Sequence, residues 1–157
     1  MKKTLLGLAV VLCIFSCKNS DEYKSFLHNP DLFSATVHEL NSVVMGNNFP
    51  PMVASRNYAY AAIAAYEVVA AAYPDQYQSL GGQLNGLQPI HAPALTPEVD
   101  VELASLLAYM KVGESVTFPE GSMQVYADSI LKVARKKGLT DKVEKASRFF
   151  ADSIGRE

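Results

Sequence analysis

The polar side chains that could carry chemistry are few, and the most notable set lies in one predicted helix. Arg56, Tyr60 and Glu67 fall on the same face of that helix. Arg56 and Glu67 are separated by about 16 Å along the axis, so each needs another partner if it is buried. A pocket-lining arginine could bind an anion. The alternative is that both are structural and tie helices or loops together, and a third hypothesis makes the chain a small enzyme that uses them.

Patterns of metal and nucleotide sites are not found in the sequence. The three histidines are His28, His38 and His91, and none has partners at the spacing of a metal site. His38 adjoins Glu39, but neighbouring residues of a helix do not face each other. No Walker-type or dinucleotide-type glycine pattern and no Gly-x-Ser-x-Gly motif occurs. The sequence therefore predicts neither a metal site nor a cofactor site within this chain.

The overall composition excludes further classes of protein. The chain has 157 residues, of which 49% are hydrophobic and 19% are charged, and this length suits one domain or part of a larger one. Lysine and arginine number 14, aspartate and glutamate number 16, and the net charge is −2. Because no basic excess is available to neutralise phosphates, we expect no nucleic-acid partner.

The N-terminus has the pattern of an export signal. Lys2 and Lys3 precede an apolar run over residues 5–15, which is shorter than the roughly 20 residues that a membrane-spanning helix needs. This arrangement is typical of a secretory signal. Ile-Phe-Ser-Cys at 14–17 resembles a bacterial lipobox, in which Cys17 becomes the lipidated first residue of the mature protein. An ordinary cleaved signal and a membrane anchor are the alternatives.

The N-terminal signal and lipobox predict how the mature protein is attached to the membrane. We expect a lipoprotein signal peptide over residues 1–16 and a hydrophilic tether over residues 17–28. The protein would lie in the bacterial cell envelope, periplasmic or surface-exposed, and its membrane partner would be reached through lipid on Cys17. The mature chain would be acidic, so electrostatic attraction to anionic lipid would not contribute to this anchoring.

Apolar residues at helical spacing predict an all-α fold, a helical bundle of about five helices. Asn29-Pro30-Asp31 has the composition of a helix start, and the alanine-rich second helix is predicted to lie in the middle of the bundle. Residues 74–97, rich in proline and glycine, predict an irregular connector. The predicted helices cover residues 30–45, 55–73, 96–113, 123–137 and 140 onward. The fifth keeps its apolar stripe to the last residues, which favours an incomplete part of a larger α-helical domain.

A family resemblance is carried by Phe-Pro-Pro-Met-Val-Ala-Ser-Arg-Asn-Tyr-Ala-Tyr at 49–60 and by Ile-Ala-Ala-Tyr-Glu at 63–67. These segments resemble the N-terminal part of the vanadium-dependent haloperoxidase and type 2 phosphatidic acid phosphatase superfamily, in its bacterial envelope branch. Phe-Pro-Glu-Gly-Ser-Met at 118–123 and Ser-Arg-Phe-Phe at 147–150 are similar to later parts of the same region. The resemblance makes residues 29–157 the N-terminal part of such a domain.

The resemblance implies a helical bundle that binds vanadate or phosphate in a cradle of lysine, two arginines, serine, glycine and two histidines. Such a cradle stabilises the negative charge that grows in the transition state. Arg-Pro and Gly-His, which two of the family motifs require, do not occur here. The Ser-Arg pair at 55–56 would need histidine in place of Ala62, and the pair at 147–148 would need it in place of Ile154. We therefore carry over no catalytic residue and expect no cofactor in this chain alone.

Two hypotheses about function follow from these patterns. The first is a fragment: the N-terminal part of an envelope lipoprotein of this superfamily, haloperoxidase or phosphatase, whose missing C-terminal helices are its partners. It predicts that residues 18–157 alone expose apolar surface and associate. The second is a complete, non-catalytic helical lipoprotein that acts as a binding or scaffold module. It predicts a stable domain that unfolds cooperatively.

Overall fold

The computed structural model describes residues 21–155, where the regular structure is helical without strands. The helices are α1 (Glu22–Leu27), α2 (Pro30–Gly46), α3 (Pro51–Ala72), α4 (Val101–Ser115), α5 (Ser122–Lys136) and α6 (Asp141–Ile154). The predicted all-α bundle is confirmed for this part of the chain. The predicted signal peptide and Cys17 lie outside the described residues. Of the helices described, none combines the length and the hydropathy needed to cross a bilayer.

Side-chain caps fix the beginnings of α2 and α6. The Asn29 side chain accepts a hydrogen bond from the Asp31 N–H at 3.0 Å, and Pro30 occupies the first turn of α2. The Thr140 hydroxyl accepts a hydrogen bond from the Val143 N–H at 3.4 Å at the start of α6. Both helices therefore begin where the sequence predicted.

Helix α3 begins about one turn before the predicted start at Ser55. Its first residue is Pro51, and the Pro50 carbonyl accepts hydrogen bonds from the N–H groups of Val53 and Ala54 at 2.8 and 3.0 Å. Proline is tolerated in the first turn of a helix because the N–H that it lacks would have no partner there. The predicted start at Ser55 was therefore about one turn too late, and the backbone is extended only up to Pro50.

Helix α4 begins later than the predicted start at Thr96. Asp100 keeps an extended backbone, and its carboxylate accepts a hydrogen bond from the Leu103 N–H at 2.9 Å. The Asp100 N–H donates to the Ser147 hydroxyl of α6, also at 2.9 Å. A contact with a distant helix therefore fixes this cap, and the first helical residue is Val101.

Helix α1 lies within the segment for which the sequence predicted a hydrophilic tether, residues 17–28. Tyr23 and Leu27 are buried in the core, so α1 packs against the bundle. The carboxylate of Glu22 pairs with the Lys137 ammonium group at 2.6 Å, near the end of α5. Residues 22–27 thus belong to the folded region, because their two buried apolar side chains lie one turn apart.

The centre of the bundle is α4, not the alanine-rich α3 that the sequence placed there. Helix α4 contacts α2, α3, α5 and α6. Its buried residues are Val101, Leu103, Ala104, Ser105, Leu106, Leu107, Ala108, Tyr109, Met110 and Gly113. Helix α3 instead has exposed residues throughout its N-terminal half, residues 51–62, and is buried or half-buried only from residue 63 onward. The composition of α3 reflects close contact with one neighbouring helix, since small side chains allow two helix backbones to approach.

Two contacts show how closely the helices around α4 approach each other. The Ser105 hydroxyl of α4 donates a hydrogen bond to the backbone carbonyl of Ala65 in α3 at 3.1 Å. On another side, a Cβ placed on Gly113 would lie only 3.0 Å from Cδ1 of Leu40 in α2. We refer to these two contacts together as the α4 seam. Small residues at Ala65 and Gly113 permit the short distances that the seam requires.

Candidate functional site

The buried carboxylate of Glu67 connects α3 to the connector that follows it. Its side chain is 2% exposed. One carboxylate oxygen accepts a hydrogen bond from the Leu80 N–H at 2.6 Å, and the other accepts one from the Ser79 hydroxyl at 2.7 Å. The Ser79 hydroxyl oxygen in turn accepts from the Gly81 N–H at 3.0 Å. Both oxygens of Glu67 thus accept hydrogen bonds that fix a turn of the connector. This is the structural role, tying a helix to a loop, that was the alternative to an anion-binding pocket.

Arg56 and Tyr60 lie on the solvent side of α3. Arg56 is exposed, and Tyr60 is half-exposed. Tyr60 and Glu67 border one groove of about 480 Å³, but Arg56 is not among its lining residues. The structure therefore brings together two members of the polar set and leaves out the arginine on which an anion pocket would depend.

This groove, which we call the α3–α6 groove, is mainly apolar. It runs between α3, the connector and the end of α6. Its apolar lining includes Ile63, Leu87, Ile90, Val112 and Ile154. Among the residues that the structure describes, no lysine, arginine or histidine lines it, so the groove offers apolar contact rather than charge compensation for an anion.

A second cavity, of about 260 Å³, lies among α4, α5 and α6. Lys111 and Asp152 form an ion pair of 2.6 Å at its edge. The Glu114 carboxylate accepts hydrogen bonds from the backbone N–H groups of Met123 and Gln124 at 2.6 and 3.2 Å. The positive end of the α5 dipole therefore already faces a protein carboxylate and is not open to an external anion.

An ion pair joins α5 to α6. The Arg135 guanidinium donates two hydrogen bonds to the Glu144 carboxylate, at 2.6 and 2.7 Å. These hydrogen bonds lower the pKa of the Glu144 carboxyl below its ordinary value, although partial burial acts in the opposite direction. The bidentate geometry makes this pair a helix-to-helix connection.

A cluster that the sequence analysis missed lies between α1 and the start of α4. His28 Nε2 is 3.0 Å from an oxygen of Asp100 and 3.5 Å from an oxygen of Glu102. Burial, and secondly the negative charge of Asp100, raises the pKa of the nearby Tyr23 hydroxyl. Asp-Val-Glu at 100–102 is the only local signal of this cluster, and nothing in the sequence connects it to a histidine 72 positions earlier.

The described residues do not fit the vanadate or phosphate cradle that the resemblance implies. His38 and His91 are exposed, and His28 faces carboxylates. Neither the α3–α6 groove nor the second cavity brings a histidine together with an arginine. We therefore derive no chemical step from residues 21–155, and the prediction that the chain lacks catalytic residues stays a prediction.

Comparison with solved structures shows which class of protein this chain resembles. In sequence and helical fold the chain resembles vanadium-dependent haloperoxidases, which confirms the predicted relationship to that superfamily. One solved structure with a similar fold is described as the crystal structure of the first bacterial vanadium-dependent iodoperoxidase. The two are 34% identical, with a TM-score of 0.72 over 81% of this chain and 30% of the iodoperoxidase chain. No family model matches the sequence, and no curated protein matches it.

Proposed function

We propose that this chain is the N-terminal helical region of a bacterial envelope enzyme of the vanadium-dependent haloperoxidase superfamily. The observation that carries this proposal is the unequal coverage: the similarity takes in 81% of this chain but only 30% of the iodoperoxidase. In this proposal the catalytic residues lie in further helices on the C-terminal side. The region described here would then serve as their structural support and would be inactive alone.

The α3–α6 groove supports this proposal. Its apolar lining lies beside Ile154, near the end of α6. Large apolar side chains also remain exposed elsewhere, with Val125 and Phe149 more than half-exposed. Apolar surface of this kind is stabilised when further elements cover it. Additional helices of the same protein would supply that cover.

The activity of the whole enzyme belongs to the same proposal. The iodoperoxidase is vanadium-dependent by its description, so bound vanadate and the oxidation of a halide are the first candidates for the parent protein. Phosphate-ester hydrolysis in the same type of oxyanion site is the second. In either case the oxyanion would be held by residues outside the region described here, since that region offers no fitting cradle.

The proposed location is the bacterial cell envelope. Support comes from the sequence alone, through the apolar run of residues 5–15 and the lipobox-like segment that ends at Cys17. Lipid attached to Cys17 would hold the protein at the membrane, with the folded region beginning a few residues later at α1. This short distance would keep the bundle close to the bilayer surface.

A second candidate is a complete, non-catalytic lipoprotein that binds or supports another molecule. One observation favours it: within residues 21–155, every buried side-chain nitrogen or oxygen has a hydrogen-bond partner. A region with a satisfied interior and a central helix packed by its neighbours resembles an independent domain. This candidate would make the α3–α6 groove a binding surface rather than an internal interface.

The mass of the native product distinguishes the two candidates. An antibody against residues 98–137 would be used on the cells that make the protein. We expect a species far heavier than 17.1 kDa, because the catalytic region would be part of the same polypeptide. A lipidated species near the mass of residues 17–157 would contradict the enzyme proposal and favour the binding module.

The lipid anchor needs its own measurement in the same cells. Labelled palmitate is expected to enter the wild-type product but not the Cys17→Ser product, because serine cannot carry the thioether lipid. Ser20→Ala, a few residues further on, is the matched control and should leave the incorporation unchanged. Equal incorporation into the Cys17→Ser product, or none into the wild type, would contradict lipid attachment at Cys17.

A further inference from the structure

We propose that His28, Asp100 and Glu102 form a binding site for a divalent transition-metal ion such as Zn²⁺. The three residues offer one imidazole nitrogen and two carboxylate oxygens, and these atoms lie within 4.8 Å of one another. They come from both sides of the junction between α1 and α4. This inference does not depend on the proposed function of the chain.

The two distances from His28 match those between the ligands of one ion. His28 Nε2 is 3.0 Å from the Asp100 oxygen and 3.5 Å from the Glu102 oxygen. Nitrogen and oxygen ligands lie about 2.1 Å from Zn²⁺, which places two ligand atoms about 3.0 Å apart at a right angle and about 3.4 Å apart at the tetrahedral angle. The side chains therefore need only small shifts to surround an ion.

The buried member of the cluster is fixed before any ion arrives. The Asp100 side chain is 5% exposed. Its Oδ1 is used by the Leu103 N–H, and its backbone N–H donates to the Ser147 hydroxyl, so Oδ2 remains directed at His28. Such supporting hydrogen bonds orient ligands and raise metal affinity. Asp100 is thus a ligand that the fold holds in place.

The other two members give the ion access and room. The side chains of His28 and Glu102 are 36% and 46% exposed. Both line a cavity of about 220 Å³ at the surface, which is large enough for water molecules to complete the coordination sphere. The ion could therefore enter from solvent without unfolding of the bundle.

The ligand set selects the kind of ion. An imidazole favours transition metals such as zinc, whereas all-oxygen sites suit calcium and magnesium. Two carboxylates facing one imidazole also place negative charge around a single nitrogen, and a divalent cation would neutralise it. The competing explanation is a His28 that only hydrogen-bonds to Asp100 and binds no metal.

Zn²⁺ titration of the purified full chain tests the site. After treatment with EDTA and its removal, calorimetry should give one Zn²⁺ per chain, and the melting temperature should rise with Zn²⁺ and fall back with EDTA. His28→Gln and Glu102→Gln should each weaken binding by about tenfold or more. Glu102 is largely exposed, so its variant is expected to fold even if the histidine variant does not.

Two control variants exclude other ligands. His38→Gln and His91→Gln each remove an exposed histidine, one on α2 and one in the connector; both should leave the Zn²⁺ affinity unchanged. The proposal is overturned if the wild-type chain shows no saturable Zn²⁺ binding, which is the result expected if the cluster is only a hydrogen-bonded contact between α1 and α4. It is overturned equally if binding persists in both the His28 and the Glu102 variants.

Discussion

Helix α4 and the connector that precedes it follow each other in the chain but are held in place by different means. Ten residues of α4 are buried against four other helices. The connector, residues 73–100, has no helix or strand and is mostly exposed or half-buried. It is attached to α3 by hydrogen bonds from Ser79 and Leu80 to Glu67 and from the Tyr66 hydroxyl to the Gln78 carbonyl.

The two regions differ in how their stability is distributed among residues. Each fully buried aliphatic side chain of α4 contributes roughly 1.5–3 kcal/mol, and the buried residues lie on all sides of the helix, since residues 103–110 are consecutively buried. A hydrogen bond contributes about 1 kcal/mol net, but the loss of one partner leaves the other group unsatisfied. The bundle therefore depends on many residues, whereas the connector near residues 78–80 depends on a few, chiefly Glu67 and Tyr66.

The largest effect is expected in the bundle. Replacing Leu103, which is fully buried in α4, by alanine should lower the free energy of unfolding of the full chain by about 2–5 kcal/mol because it leaves a cavity. Leu84→Ala in the connector is the matched control, since Leu84 is 42% exposed, and it should cost far less. Urea denaturation measures both. Similar losses in the two variants would remove the distinction between the regions.

A smaller but more local effect is expected at Glu67. Replacement by alanine removes the acceptor of the Leu80 N–H and the Ser79 hydroxyl, at a cost of about 1–3 kcal/mol. Hydrogen exchange should accelerate at residues 79–82 before it changes in α4. Glu67→Gln, which keeps one acceptor oxygen, should show an intermediate rate.

Asp75→Ala, at an exposed position of the same connector, is the control for the Glu67 variants and should leave these exchange rates unchanged. If Glu67→Ala also left them unchanged, the connector would be held by apolar contacts such as that of Ile90 with the core. The two regions would then be stabilised by the same means, contrary to the comparison above.

The smallest effect is expected for the ion pair of Arg135 and Glu144, which lies where apolar packing already holds two helices. The Arg135 side chain is half-exposed, so Arg135→Met should lower the free energy of unfolding by at most about 1 kcal/mol at neutral pH. The pKa of Glu144 is lowered in the folded state. The stability from this pair is therefore present above the unfolded pKa of the carboxyl and is lost as the pH falls through the folded pKa.

Unfolding curves at several pH values test this sign. The difference in the free energy of unfolding between wild type and Arg135→Met should be constant near neutral pH. It should shrink below about pH 4.3, the ordinary pKa of a glutamate. Lys132→Met, at an exposed lysine on the same helix, should show no such dependence. A difference that grew towards low pH would contradict the role assigned to Glu144.

The helix positions were predictable where the signal was local. Asn29 and Thr140 cap α2 and α6 at the positions that the sequence indicated. Helix α1 escaped prediction because it is less than two turns long and follows a polar segment. The start of α4 was misplaced because Thr96-Pro97-Glu98 also has the composition of a helix start. The true cap is Asp100, and it is fixed by a tertiary contact with Ser147 that the local sequence does not show.

The candidate sites were less predictable than the helices. Glu67 stood out as a helical carboxylate needing a partner, but the partner lies in a connector without periodicity, so no pattern could identify Ser79 or Leu80. The approach of His28 to Asp100 depends on how α1 packs against the bundle. The family relationship was recognisable because residues 49–67 carry it within one continuous segment, independently of any long-range contact.

The α4 seam has a consequence for how the sequence can change over evolutionary time. At Gly113, any larger side chain would press against Leu40, and at the contact of Ser105 with Ala65 a larger residue would separate two helices. A change on one side of the seam can then persist only together with a compensating change of volume on the other. The helices along the seam are thus expected to diverge as coupled pairs, while the connector is free to gain or lose residues singly.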